Sequence, residues 1–207
     1  MKSFSRKLLA LAGAVALMAP SAGAQIPVYY TTSGFFTAAA GQSVSLDGLT
    51  LTSGGSTLTF AGILNPLNFV TAGPTPTNAN YGSITLNSST NNPPTNPISY
   101  DGFNGAQFQL DIAQTVPSGG SGSFFGSLIG QVNYSSSGLQ INFSGPIHLG
   151  SVTYTVQNPT FGVAPTSGTG TTTIQGQITA TPEPASMALL ATGLVGVFGA
   201  VRRRRKA

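Results

Sequence analysis

Phe108-Gln109-Leu110-Asp111-Ile112 alternates apolar and polar side chains without a break. In an extended chain successive side chains leave on opposite faces, so Phe108, Leu110 and Ile112 point into a core while Gln109 and Asp111 point toward water. The same alternation returns in Leu58-Thr59-Phe60, Ile84-Thr85-Leu86, Leu139-Gln140-Ile141-Asn142-Phe143 and Val152-Thr153-Tyr154-Thr155-Val156. This is the signature of half-buried antiparallel strands; a helix would space its apolar groups three and four apart. Phe124 to Tyr134 alternates less cleanly, with Leu128, Val132 and Tyr134 on one face and Phe125 and Ile129 on the other. It reads as a central strand covered on both sides.

Between these runs lie turn formers. Ser135-Ser136-Ser137-Gly138 reads as a hairpin turn, and Asp47-Gly48, between Val44-Leu46 and Leu49-Leu51, as a tight turn or bulge. Pro74-Thr75-Pro76 and Pro93-Pro94 mark longer loops. Ser53-Gly54-Gly55-Ser56 and Ser118 to Gly122 are flanked by alternating segments, so they read as loops of a folded domain. No fixed repeat of solenoid length is visible, and no amphipathic helix stands out. About eight to eleven short strands then give an all-β fold, an antiparallel two-sheet sandwich or jelly roll.

The chain has 207 residues, of which 6% are charged and none is cysteine. Its basic residues lie only at the ends: Lys2, Arg6 and Lys7, then Arg202, Arg203, Arg204, Arg205 and Lys206. Residues 25–181 hold three carboxylates (Asp47, Asp101, Asp111), one histidine (His148) and no Lys or Arg. The pI of about 9.7 therefore describes the termini alone. A nucleic-acid reader needs cations to displace counterions from phosphates, so nucleic acid is excluded as a partner. Without cysteine, stability comes from burial and hydrogen bonding alone.

The first residues place Lys2, Arg6 and Lys7 before the apolar run Leu8 to Ala19, which Pro20 interrupts. Ala22-Gly23-Ala24 supplies small residues for a signal peptidase, with Ala22 at −3 and Ala24 at −1 of the cut and Gln25 as the new N-terminus. Residues 1–24 thus read as a helical signal peptide and 25–180 as an extracytoplasmic β-sandwich domain. Residues 181–207 begin with Pro182-Glu183-Pro184, followed by an apolar run, Ala185 to Val201, and the basic cluster Arg202 to Lys206. As a helix the run spans roughly 25 Å, and flanking arginines can snorkel to complete a transmembrane crossing. The basic cluster belongs in the cytoplasm by the positive-inside rule, which leaves the residues before Pro182 outside.

Signal peptide, Pro182-Glu183-Pro184, glycine-containing apolar segment and Arg202-Arg203-Arg204-Arg205-Lys206, in this order, resemble the PEP-CTERM proteins, whose C-terminal signal is sometimes named after ice-binding proteins. The resemblance covers about the last 26 residues. It implies recognition of the tripeptide by an exosortase, a membrane protease-transpeptidase. Transient anchoring in the inner membrane would be followed by removal of the tail and delivery to the cell envelope or extracellular matrix. Glu183 is then a recognition residue. The runs Phe108 to Val116, Ser123 to Ile129 and Ile174 to Ile178 also look like the β domains that such proteins carry, a likeness that brings no active site.

Candidate chemistry is sparse. His148, between Ile147 and Leu149, points away from its apolar neighbours and reads as an exposed imidazole; Ser144 and Ser151 near it form no recognisable triad. Asp101 and Asp111 lack a glycosidase motif around them. Asp101-Gly102-Phe103-Asn104-Gly105 has oxygens suited to calcium but fails the EF-hand pattern, and a turn explains it as well. No catalytic residue, metal site or cofactor is assigned. Thr50/Thr52, Thr57/Thr59, Thr153/Thr155, Thr169/Thr171 and Thr171/Thr173 align hydroxyls on one strand face. Such a face orders water or docks a polymer, or is ordinary solvent-facing threonine. Asn87, Asn133 and Asn142 head glycosylation-like tripeptides that so Ser- and Asn-rich a chain produces by chance. The sequence expectation is an exported, non-enzymatic structural or adhesive protein of the envelope or exopolysaccharide matrix of a biofilm. The alternative is a carbohydrate- or surface-binding module that holds extracellular polysaccharide through loop aromatics such as Tyr81, Tyr100 and Phe103.

Overall fold

The computed structural model describes residues 25–65, 69–90, 98–162, 168–181 and 193. The signal peptide, Pro93-Pro94, the sorting tripeptide, the apolar segment 185–201 apart from Gly193, and the basic cluster lie outside them. Among the described residues no helix is long and apolar enough to cross a membrane.

The fold is all-β. In chain order the strands are β1 (Ile26–Thr37), β2 (Gln42–Val44), β3 (Thr50–Ser53), β4 (Ser56–Ala61), β5 (Phe69–Ala72), β6 (Thr77–Ser88) and β7 (Asp101–Gly102). They continue as β8 (Gln107–Val116), β9 (Gly120–Ile129), β10 (Gln131–Val132), β11 (Gln140–Phe143), β12 (Ile147–Leu149), β13 (Val152–Val156) and β14 (Thr169–Ala180). Two curled antiparallel sheets result. The smaller has five strands in the order β11-β9-β8-β1-β5, and the larger has seven in the order β12-β13-β14-β6-β4-β3-β2. A separate ribbon pairs β10 with β7.

The alternation decides which faces meet. Val28, Tyr30, Phe36, Phe108, Leu110, Ile112, Phe124, Leu128 and Ile141 form the inner side of the smaller sheet. Leu51, Leu58, Phe60, Tyr81, Ile84, Leu86, Val152, Tyr154, Ile174 and Ile178 form that of the larger. Aromatic packing divides the core in two. Phe108 lies 4.7 Å from Phe36 and 5.0 Å from Phe60, ring centre to ring centre. Tyr30, Tyr81 and Tyr154 contact one another at 5.9 to 6.4 Å. Each tyrosine hydroxyl donates a hydrogen bond: Tyr30 to the Asn80 carbonyl (2.8 Å), Tyr81 to the Gln177 carbonyl (3.1 Å) and Tyr154 to Gln114 Oε1 (2.7 Å). These bonds make burial of three phenols tolerable.

Two expectations are corrected. The strands are neither as few nor as short as the alternation suggests: β1, β6 and β14 each run for twelve residues. Polar Thr, Ser and Gly positions continue the ladders because a paired neighbour satisfies their backbone. The segment Phe124 to Tyr134 is not one strand covered on both sides. Strand β9 ends at Ile129, its inner face is buried, and Phe125 (57% exposed) and Ile129 (46%) face outward. Gly130, at φ 122°, breaks the ladder where a side chain would meet the Gly138 carbonyl. The Asp47-Gly48 turn forms as read: Gly48 has φ 74°, and its N–H donates to the Ser45 carbonyl at 2.9 Å. The Ser135-Ser136 turn closes on Asn133 Oδ1, which accepts both backbone N–H groups at 2.9 and 2.8 Å.

Candidate functional site

The candidate chemical residues do not converge. The Asp101 carboxylate sits at the end of the β3–β4 hairpin, where Oδ2 accepts from Ser56 Oγ at 2.6 Å and from the Thr90 hydroxyl. Ser56 Oγ also lies 2.7 Å from Ser88 Oγ, and Ser53 Oγ donates to the Gly102 carbonyl at 2.8 Å. A Cβ on Gly54 would meet Asp101 Oδ1 at 2.1 Å, so the glycine turn leaves room for the carboxylate. Asp101 is a staple between hairpin and neighbouring strand ends. Asn104 Oδ1 accepts the Gly130 N–H at 2.8 Å. The Asp101 and Asn104 oxygens, suited to calcium by type, thus each hold part of the chain, and among the described residues no group of three acidic, His or Cys side chains forms a metal cluster.

Asp111 lies on the outer face of the smaller sheet, on β8. Its Oδ1 accepts from Ser123 Oγ at 2.5 Å and Gln109 Nε2 at 2.7 Å. His148 is exposed, as its neighbours implied, with Nδ1 2.9 Å from Thr153 Oγ1. Asp47 accepts from Ser45 Oγ at 2.5 Å and the Leu49 N–H at 3.0 Å. The serine hydroxyl first, and the backbone N–H second, hold its carboxyl below the usual aspartate range.

The loop aromatics are corrected. Tyr81 belongs to β6 and Phe103 follows β7, and both are fully buried; only Tyr100 is exposed. Rings exposed on a sheet face take their place, and all belong to the smaller sheet. Phe35 (41% exposed) on β1 is in register with Gln109 on β8, which is in register with Phe125 on β9. Alongside runs the row Ser33-Asp111-Ser123. Farther along β1, Tyr29 stacks on Phe69 of β5 at 5.2 Å. The sequence did hold a signal for these rings. Tyr29-Tyr30, Phe35-Phe36 and Phe124-Phe125 are aromatic doublets, and two neighbours on a strand cannot both point into one core.

The outer face of the larger sheet is different. Thr50, Thr59, Thr85 and Thr171 stand in one register row, and Thr52, Thr57, Asn87 and Thr169 in the next. Hydroxyls of neighbouring strands meet at 3.2 Å (Thr50 and Thr59) and 3.1 Å (Thr85 and Thr171).

The chain order ends this domain on β14, a strand central to the larger sheet, whose Ala180 N–H donates to the Gly73 carbonyl at 2.8 Å. Thr181 N–H donates to the Ser151 carbonyl at 2.9 Å, and Pro182 follows. Residues 180–205 match the PEP-CTERM protein-sorting motif. The chain carries a PEP-CTERM sorting motif. The motif implies export, a transient hold in the membrane and processing of the PEP-CTERM protein by an exosortase. No curated protein and no solved structure matches it.

Proposed function

We propose that the mature PEP-CTERM protein is a non-enzymatic structural or adhesive component of the cell envelope or extracellular matrix. Signal peptidase would remove residues 1–24, and the exosortase would release the domain from its tail. The observation that carries this reading is how the three carboxylates of residues 25–181 are used: each accepts hydrogen bonds from neighbouring hydroxyl groups, two of them in turns or strand-end staples. General acid–base work needs a carboxylate or imidazole aimed at a reacting group beside a partner of different pKa. Here Asp101 and Asp111 serve separate parts of the fold, and His148 bonds a strand threonine.

The test is fractionation of a producing strain with and without its exosortase. The reading expects tail-free protein in the envelope or matrix fraction of the first strain and tail-bearing protein in the membranes of the second. Deleting the gene should reduce the cohesion of the cell layer. Intact precursor in the cytosol, or full cohesion together with loss of a hydrolytic activity, would overturn the reading.

A further inference from the structure

We propose that the outer face of the smaller sheet is a binding platform for a neutral polysaccharide, with Phe35 and Phe125 as stacking rings and Gln109, Asp111 and Ser123 as its hydrogen-bonding groups. The inference rests on the extracellular setting proposed above and assigns that adhesive role to one surface.

Three observations lead to it. First, large apolar side chains are exposed unevenly. Phe35, Phe69, Val116, Phe125 and Ile129 are all more than a third exposed on strands of the smaller sheet, whereas the other exposed large apolar side chains, Leu46, Leu64, Ile98 and Tyr100, lie in loops, and the outward positions of the larger sheet hold mainly Thr, Ser, Asn and Gln, with Ala61 and His148. Exposed apolar groups gathered on one face mark a surface that meets something. Second, the outward-facing rings on β1 and β9 come from aromatic doublets. Tyr30, Phe36 and Phe124 already supply the core, so Tyr29, Phe35 and Phe125 are not needed for burial. Third, the rings alternate with polar groups in strict register. Phe35 and Phe125 are separated by one strand, roughly 10 Å at the usual strand spacing, with Gln109 between them. The Ser33-Asp111-Ser123 row runs beside it.

Charge decides the occupant. Residues 25–181 hold no Lys or Arg, so a polyanion finds no counter-charge and meets Asp111. A second copy of the domain would bring a second Asp111 face to the first with no cation to pair either, and burying an unpaired carboxylate is costly. A purely apolar protein face would strand Gln109 and Asp111 alike. A neutral polysaccharide matches both halves of the pattern. The C–H faces of its sugar rings lie against Phe35 and Phe125, and its hydroxyls donate to the carboxylate and exchange bonds with the amide.

Adsorption isotherms of the full chain in mild detergent test this, on particles of cellulose, β-1,3-glucan and chitin, with cross-linked alginate as the acidic polymer. Saturable adsorption to at least one neutral polymer, little changed by high salt, is expected. Phe125→Ala and Phe35→Ala should each weaken it about tenfold, and Thr85→Ala on the opposite sheet should leave it unchanged. Both phenylalanines are exposed, and circular dichroism of the variants confirms that the fold is retained. No adsorption to any neutral polymer, preference for alginate, or adsorption indifferent to both phenylalanine changes would overturn the proposal. So would a dimer in sedimentation that Phe125→Ala dissolves. None of these results alters where the protein is delivered, which the fractionation reads separately.

Discussion

Asp101 shows how much one side chain does in a domain that holds no Lys or Arg. Its carboxylate receives the Ser56 and Thr90 hydroxyls, and Ser56 in turn meets Ser88. Hydrogen bonds to an ionised acceptor are stronger than neutral ones, and removing the acceptor leaves buried Ser56 short of a partner. Asp101→Ala should therefore lower stability by roughly 2 kcal/mol, and Asp101→Asn, which keeps an acceptor oxygen, by less. Urea unfolding should show a lower midpoint with an unchanged slope, and an unmoved midpoint for Asp101→Ala would refute the staple. The tyrosine cluster gives a pH prediction. Burial first, and the neighbouring tyrosines second, push the Tyr81 hydroxyl far above the ordinary value near 10. Tyr154 is raised by burial first and then by Tyr30. A pKa raised on folding stabilises fully below the unfolded value and is lost as pH climbs past it. Stability should therefore fall above about pH 10, and the tyrosinate absorbance of Tyr81 and Tyr154 should appear only with loss of the β circular dichroism signal. Absorbance from both while the sheets persist would contradict this.

At the scale of the element, close packing between strands sets the tolerances. Gly176 on β14 faces β13, and a Cβ there would lie 1.9 Å from the Thr155 carbonyl and 2.4 Å from the Tyr81 ring. Neither backbone nor a ring held in the core can move away cheaply, so Gly176→Ala should cost about 3 kcal/mol. Gly138, with nothing within 4 Å of such a Cβ, should accept alanine with little change. Thermal melts of the two variants provide the comparison, and equal melting temperatures would overturn it. The strands read from the sequence are those with an unbroken run of apolar inward positions, such as β13 and residues 108–112 of β8. Strand β1 was not legible because its inward series Val28, Tyr30, Thr32, Gly34, Phe36 contains two interruptions. Both have causes that lie outside the strand. Thr32 Oγ1 donates to the Tyr81 carbonyl at 2.9 Å and accepts the Ile63 N–H at 2.8 Å. Gly34 makes way for the Phe108 ring and the Gln109 carbonyl. Asp101 and His148 could be weighed from sequence, but the partners that hold Asp101 lie 11 and 45 residues away. Register, not composition, put Phe35, Gln109 and Phe125 in one row.

For the whole molecule, charge is partitioned as sharply as structure. All cations lie before Leu8 or after Val201, and the folded domain between is anionic. Such a domain adds no positive charge to compete with the terminal clusters in setting orientation. Within the matched motif, residues 180–205, Glu183 is the one acidic group and stands between Pro182 and Pro184. Glu183 lies beyond the last strand of the domain, which ends at Ala180. We propose that its role is to be read. Glu183→Ala should accordingly leave export intact, since neither the N-terminal apolar run nor the basic cluster changes, but should block processing. The variant is expected to accumulate in the membrane with residues 185–207 still attached, whereas Asp47→Ala, a charge lost far away in a turn, should be processed normally. Mass spectrometry of C-terminal peptides from membrane and extracellular fractions, in a host with the exosortase, distinguishes the outcomes. Tail-free Glu183→Ala protein outside the cell at the unaltered level would remove Glu183 from the recognition step. Loss of the variant from every fraction would instead place the residue in export or folding and refute the assignment equally.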